Sequence, residues 1–338
     1  MEVVPGIYEE WNGSNLAMID VLNEVSLDGL SIPFGTCTLV VNNKSGRFNP
    51  FNRAGLFLSI EEGQPVPIQY GVVLPNKMTE YLPVGTYFQR AGGWQTDAYG
   101  LTITFNLVDI IGMYAARDFV PPTPLPTNCA GWIAAVMAHL GEKFANRYIV
   151  DPSIAAVPVT ALLANVSNRS CGDIFRFVGM AVGAFVRADA ATGDVRMEPL
   201  PQEGGVSIGL NNMKSYPVNK AGRRIAQINF TFGNSAKTKY TVNGTLESTD
   251  TSLNVSNPFI TTQAQADRAA DAIFRYHGGV TLTVHGRGDM RSEPGDLDSI
   301  ATGFGETALS RRFKHQLRID DGILKTAPSY LILEEDPL

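Results

Sequence analysis

The 338-residue chain predicts a β-rich α+β fold, and three features lead to that reading. Leu101, Ile103, Phe105 and Leu107 alternate with Thr102, Thr104 and Asn106, the period of a strand with one buried face. After Asn128 and after Ser170 the apolar residues instead fall three and four apart, the period of a helix. From Ile225 the β pattern returns, with Ile228, Phe230 and Phe232 set against Asn229 and Thr231.

The opening segment, to about Val120, is dominated by strand signals. Cys37, Leu39 and Val41 form one alternating set. Asp97-Ala98-Tyr99-Gly100 supplies a turn before the Leu101 strand. Pro121-Pro122-Thr123-Pro124-Leu125-Pro126 then interrupts any helix or ladder, because each proline lacks an N–H and fixes φ. This run is the clearest boundary in the chain. Beyond it Asn128 caps a helix whose stripe is Cys129, Trp132, Ile133, Val136, Met137 and Leu140, stopped by Gly141.

Ser170 caps a second helix carrying Cys171, Ile174, Phe175, Val178, Val182 and Phe185. It feeds a hairpin built from Ala184–Asp189 and Val195–Leu200 about the turn Thr192-Gly193-Asp194. Further on, Asn243-Gly244 carries a hairpin signal, and Val280, Leu282 and Val284 alternate with Thr281, Thr283 and His285. Between them Thr262 to His277 reads as a helix with Ala266, Ala270, Ile273 and His277 on one stripe and an exposed Asp271–Arg275 pair. Pro75–Glu80 and Leu246–Asn257 read as loops. No repeat of fixed period is present.

Hydrophobic residues make up 44% and charged residues 18% of the chain, enough to build packed cores and inconsistent with a disordered polymer. The formal charge of −6 argues against a nucleic-acid groove, which needs clustered cations facing phosphates. The nearest such cluster, Arg311-Arg312-Phe313-Lys314-His315, lies between Glu306 and Asp320-Asp321 and reads as a solvated strand end. Met1-Glu2-Val3-Val4-Pro5 is not a basic segment followed by an apolar run, so synthesis in the cytoplasm is expected. The longest apolar stretch, Ile174 to Val186, is broken by Arg176 and glycines, so no stable membrane insertion is expected.

The residues able to carry chemistry form no set. Cys37, Cys129 and Cys171 are widely spaced and read as small buried apolar residues, not as a disulfide or metal framework. His139, His277, His285 and His315 include no zinc-spaced helical pair; His139 falls off its apolar stripe and reads as solvated, and His285 as a strand-end residue. Glu334-Glu335-Asp336 and Asp320-Asp321 lack the fixed separation that paired carboxylates need for glycoside hydrolysis. No nucleophile elbow, phosphate loop or dinucleotide fingerprint occurs. Arg287-Gly288-Asp289 reads as an ordinary turn. Trp11, Trp94 and Trp132 read as core or interface anchors, with sugar stacking as the other use. The expectation is therefore no catalytic, cofactor-binding or metal-binding residue, and no enzyme.

The strand ending at Val41, the turn Ser45-Gly46-Arg47-Phe48, the Pro50 and Asn52 loop and the re-entry Gly63-Gln64-Pro65-Val66 resemble the first domain of baseplate-hub and tail-tip proteins of tailed phages and related injection or gene-transfer particles. The turn Pro294-Gly295-Asp296, after a helix and a strand, resembles their second barrel, although Leu297-Asp298-Ser299-Ile300 departs from the more continuous β run of many relatives and leaves the strand register open. Elsewhere the resemblance is one of element order.

The resemblance implies two tube-like β-barrel domains, residues 1–120 and 206–338, with a small α+β domain at 121–205 inserted between them and a helix near 262–277 in the second. It further implies a homotrimeric ring in the virion, assembled in the host bacterial cytoplasm. That ring would join a distal tail or tail-tube protein to a spike or fibre protein, hold the tape-measure protein, and let DNA pass without sequence-specific binding. Long insertions are absent, so a separate chain would supply any spike or enzyme. The competing readings are a receptor- or carbohydrate-binding tail protein and, third, a cell-wall hydrolase.

Overall fold

The structure, a computed structural model, describes the chain apart from residues 1, 5–6, 9, 14, 50, 54, 57–59, 204, 223–224, 234–235, 242–250, 287–290, 304, 321–322 and 334–338. The order is strand-rich, then helical, then strand-rich again. A short pair, β1 (Glu2–Val4) and β2 (Ile7–Tyr8), comes first. The main sheet begins with β3 (Leu16–Glu24), β4 (Thr36–Asn42), β5 (Pro65–Val73), β6 (Thr79–Thr96) and β7 (Thr102–Val108).

Helices follow: α1 (Ile110–Tyr114), α2 (Cys129–His139), α3 (Pro152–Ala155), α4 (Leu163–Val166) and α5 (Cys171–Val182), with β8 (Tyr148–Val150) between α2 and α3. The hairpin β9 (Ala184–Ala188) and β10 (Val195–Pro199) leads to β11 (Ser207–Ile208), β12 (Val218–Ala221), β13 (Ile225–Phe232), β14 (Ala236–Thr241) and β15 (Thr251–Asn257). The chain ends with α6 (Gln263–Gly278), β16 (Val280–Thr283), β17 (Leu297–Ala301), β18 (Thr307–Asp320), β19 (Ile323–Thr326) and β20 (Ser329–Ile332).

One sheet joins the two ends of the chain. Its strands run β12-β16-β20-β18-β3-β4-β7-β6-β5, with β17, β11 and β19 branching from β18. The junction is β18 against β3, antiparallel from Lys314↔Glu24 to Asp320↔Met18. No closed barrel is found among the described residues, so the fold is β-rich α+β around a large, mostly antiparallel sheet whose main path ends at β5 and β12 and whose branches end at β11 and β19.

The cores follow the sequence periods. Ile19, Val21, Cys37, Leu39, Val41, Ile103, Phe105 and Leu107 bury alternate positions of β3, β4 and β7 together with Val66, Ile68 and Tyr87. A larger core packs α2 and α5 against β13 and α6, through Trp132, Ile133, Ile174, Phe175, Val178, Phe230, Phe259 and Ile273. The helix starts are as the sequence implies. The Asn128 side chain accepts from Gly131 N, and Ser170 and Thr262 form capping boxes with Asp173 and Gln265. Gly183 ends α5 at φ 73°, a left-handed position that suits glycine.

Leu16–Glu24, rich in the helix-favouring Leu, Ala, Met and Glu, is a central strand with a bulge between Leu16 and Met18. Three expectations change. Residues 251–257 of the expected Leu246–Asn257 loop form β15, which runs parallel to β13, while β14 pairs antiparallel with the other edge of β13. The Asn243-Gly244 turn itself lies outside the described residues. Leu297–Ala301 continues directly as a strand after Pro294-Gly295-Asp296, in register with β18 from Leu297↔Arg311 to Ala301↔Thr307. Finally, Arg311, Arg312 and His315 are not a solvated strand end. They lie within the 14-residue β18 and are 4%, 0% and 6% exposed.

Candidate assembly surface

Two features stand out once the cores are placed: an exposed arm at the β5 end of the large sheet and a buried polar junction. The distal half of β5 and the start of β6 form a two-stranded ribbon, from Tyr70↔Leu82 to Val73↔Thr79. Residues 71–73 and 75–81 are exposed, including Val73, Met78 and Tyr81. The Pro75–Glu80 loop is thereby resolved into a tight hairpin whose turn places Lys77 at φ 66°.

Near the base of the arm lies a groove of about 490 Å³, lined by Trp11, Leu16, Ile19, Leu39, Ile68 and Tyr81. Trp11 stacks on Phe105 with centroids 5.3 Å apart, and its buried Nε1 has no acceptor among the described residues. Trp94 is half-buried against the same core. Trp132 is fully buried, donates from Nε1 to Val159 O at 2.9 Å and meets Phe259 edge-on. Of the three, only Trp132 is fully buried; Trp11 and Trp94 are half-buried, and Trp11 lines the groove.

The polar junction sits where β3, β6, β9, β18 and residues 292–294 meet around a small cavity of about 40 Å³. Asp109, cap of α1, accepts from Gly112 N and Gly35 N, yet burial pushes its pKa up to about 7 against those lowering bonds. His315, opposite Asn23 in the β18–β3 ladder, is driven down to about 3 by burial and by the Arg312 charge. Tyr87 donates its hydroxyl to Asn23 Oδ1 at 2.8 Å, and burial raises its pKa well above the ordinary value.

An ion ladder runs along one side of this cavity. Asp189 meets Arg196 at 3.0 Å and Arg196 meets Glu198 at 2.7 Å. Glu198 in turn meets Arg187 at 2.7 Å, and Arg187 meets Glu293 at 2.8 Å. Arg187 also donates to Pro294 O, so the β9–β10 hairpin is bonded to the turn before β17. Behind it Arg312 pairs with Asp298 and donates to Ser292 O. Three pairs of the ladder lie within the hairpin expected from the sequence, whereas Glu293 joins it from a distant part of the chain and Asp298 meets Arg312 only across the β17–β18 pair.

The remaining candidates are dispersed. His139 is half-buried, with Nε2 2.8 Å from Asp118 O; His277 Nε2 lies 3.1 Å from Asp28 Oδ2; His285 is exposed. Burial raises the Asp28 carboxyl, but the bonds from His277, Ser26 and Leu30 outweigh it and lower its pKa. Cys37, Cys129 and Cys171 are free, buried thiols whose pKa values burial pushes up, the latter two to about 11. Among the described residues no group of three or more His, Cys, Asp or Glu is placed to hold a metal ion. Arg287-Gly288-Asp289 only has residues outside the described ones, as do Asp321 and Glu334-Glu335-Asp336. Among the described residues no helix is long and apolar enough to cross a membrane.

No protein-family model and no curated protein matches the sequence. Solved structures do match the fold. The 43 kDa tail protein of prophage MuSo2 from Shewanella oneidensis is 14% identical, with a TM-score of 0.60 over 96% of this chain and 93% of that one. The tail protein from Neisseria meningitidis MC58 is 12% identical, with a TM-score of 0.60 over 95% and 93%. An Escherichia coli type VI secretion system component, described as structurally similar to the T4 bacteriophage tail proteins gp27 and gp5, is 8% identical, with a TM-score of 0.53 over 95% and 74%. The chain therefore has the fold of phage tail proteins over nearly its whole length.

Proposed function

We propose that the protein is a structural component of a phage-type tail tip or baseplate, a hub that assembles as a ring of three copies. The observation that carries this reading is the shared fold, which extends across nearly the full length of two tail proteins and not over one common module. A fold alone is compatible with many activities. The surface adds support, because an exposed arm carrying Val73, Met78 and Tyr81 and open sheet edges suit a part that works by contact with other chains.

In this reading the N-terminal and C-terminal portions of the large sheet are the two tube-like halves, residues 1–120 and 206–338, and residues 121–205 are the α+β unit inserted between them. Three copies would present six such halves around one opening. The ring would join the tail tube to a spike or fibre, seat the end of the tape-measure protein, and form the conduit through which DNA or cargo leaves without being read by sequence. It would act as scaffold and not as enzyme, within a virion assembled in the host cytoplasm.

The test is location in the particle. Gold-labelled antibody against the protein should decorate the tail end distal to the capsid in purified particles, and deletion of its gene should leave tails without tips. Labelling of the capsid, or full absence from particles that still infect, would overturn the reading.

A further inference from the structure

One end of the large sheet carries the two most exposed aromatic side chains among the described residues, Phe51 at 91% and Tyr99 at 86%. Their loops leave neighbouring strands where Asn42↔Thr102 closes the β4–β7 ladder. Asn43, itself buried, ties the two loops together. Its N donates to Leu101 O and its Nδ2 to Gly100 O at 3.0 Å, while its Oδ1 accepts from Phe48 N. Phe48 anchors the longer loop against Trp11 and Phe105, Asn52 Nδ2 donates to Gly46 O, and Asn49 Oδ1 accepts from Phe51 N. A cross-bonded base therefore holds both rings out in water, where large apolar side chains favour a covered state.

The rim stands into open space and is cationic. A Cβ added at Gly46 or Gly100, each at positive φ, would meet nothing within 4 Å beyond the adjoining residues. Lys44, Arg47 and Arg53 are exposed on the same loop as Phe51, in a chain whose formal charge is −6. The described acids near them are engaged elsewhere: Asp97 accepts from Leu101 N at 2.7 Å, Asp320 pairs with Arg318 at 3.0 Å, and Glu10 lines the groove by the arm. Leu101 and, at the turn beside β3, Ile323 add apolar surface to this end.

We propose that this rim is a membrane-contact surface that docks reversibly on an anionic phospholipid layer, Phe51 and Tyr99 entering the headgroup region while Lys44, Arg47 and Arg53 face lipid phosphates. Aromatic side chains settle at headgroup level, and cations beside them are drawn to an anionic leaflet. Double-stranded nucleic acid would satisfy the cations but leave both rings uncovered, because its bases are already stacked. A protein would have to offer a hollow for each protruding ring, whereas a headgroup layer yields to any shape. The contact requires no helix to cross the bilayer and is independent of the ring reading above.

The experiment sediments the full chain with vesicles of phosphatidylcholine alone or mixed with phosphatidylglycerol. Binding should be confined to the mixed vesicles and weaken as salt rises. Lys44→Gln and Arg53→Gln should each weaken it by roughly fivefold, and Phe51→Ser combined with Tyr99→Ser by at least roughly tenfold. Tyr216→Ser, which removes an exposed tyrosine outside the rim, should leave it unchanged. All these positions are exposed, so each variant should keep the unfolding midpoint of the parent. The emission of Tyr99→Trp should shift to the blue on mixed vesicles, as a ring leaving water does. No binding to mixed vesicles, equal binding to both lipids, binding that survives loss of both rings, or an unshifted Tyr99→Trp emission overturns the proposal. Retention by short single-stranded DNA without vesicle binding also overturns it and makes the rim a nucleic-acid surface.

Discussion

Arg312 and Asp298 form an ion pair at 2.9 Å in which neither side chain is exposed to solvent. The guanidinium also donates to Ser292 O at 2.6 Å, and Asp298 accepts from Ser292 Oγ and Val206 N. Both charges are desolvated and almost fully bonded, so removing one leaves the other stranded. Asp298→Asn or Arg312→Met should therefore lower stability by about 3–5 kcal/mol, whereas replacing both with apolar residues of similar volume should cost less than either single change. Urea unfolding of the three variants checks this.

His315 gives the fold an acid limit. Its pKa falls from an ordinary 6.5 to about 3 because burial and Arg312 disfavour the cation. A group depressed in the folded state contributes stability that is present above pH 6.5 and lost as pH falls toward 3. Asp109, raised to about 7, works in the opposite sense, losing its contribution as pH rises from about 4 to 7. Thermal unfolding of His315→Gln should show a flatter acid limb between pH 6 and 4 than the parent protein; an unchanged limb would contradict the burial argument.

Ser170 holds the start of α5. Its Oγ accepts from Asp173 N at 3.1 Å while Asp173 Oδ2 accepts from Ser170 N. Ser170→Ala should cost about 1 kcal/mol, and Ser170→Asp should retain most of the capping. Chemical denaturation distinguishes the two.

Gly295 sits at φ 107°, and a Cβ there would lie 2.5 Å from the Phe185 ring. Gly295→Ala therefore strains the turn twice, through its backbone and through contact with β9. A loss of about 1–3 kcal/mol is expected. Combining it with Phe185→Leu should recover part of the loss in the same unfolding assay.

What was legible in the sequence was local. The caps Asn128 and Ser170, the Gly193 turn and the alternating Leu101–Leu107 set each state their structure within a few residues. Strand β18 was hidden because its charged residues find partners elsewhere: Arg312 pairs with Asp298 and Lys314 with Glu24. Strand β3 was hidden by helix-favouring residues whose strand geometry comes from β4 and β18 on either side. The assembly surface was out of reach for the same reason, since the free edges at β5 and β12 exist only once every other strand has found its neighbour.

The central claim, a ring built from copies of this chain, is tested most directly by its mass in solution over a concentration series, with electron-microscope class averages of the same sample. The account predicts three copies and three-fold particles with a central opening. A single copy at every concentration, or a two-fold dimer with no opening, would contradict it.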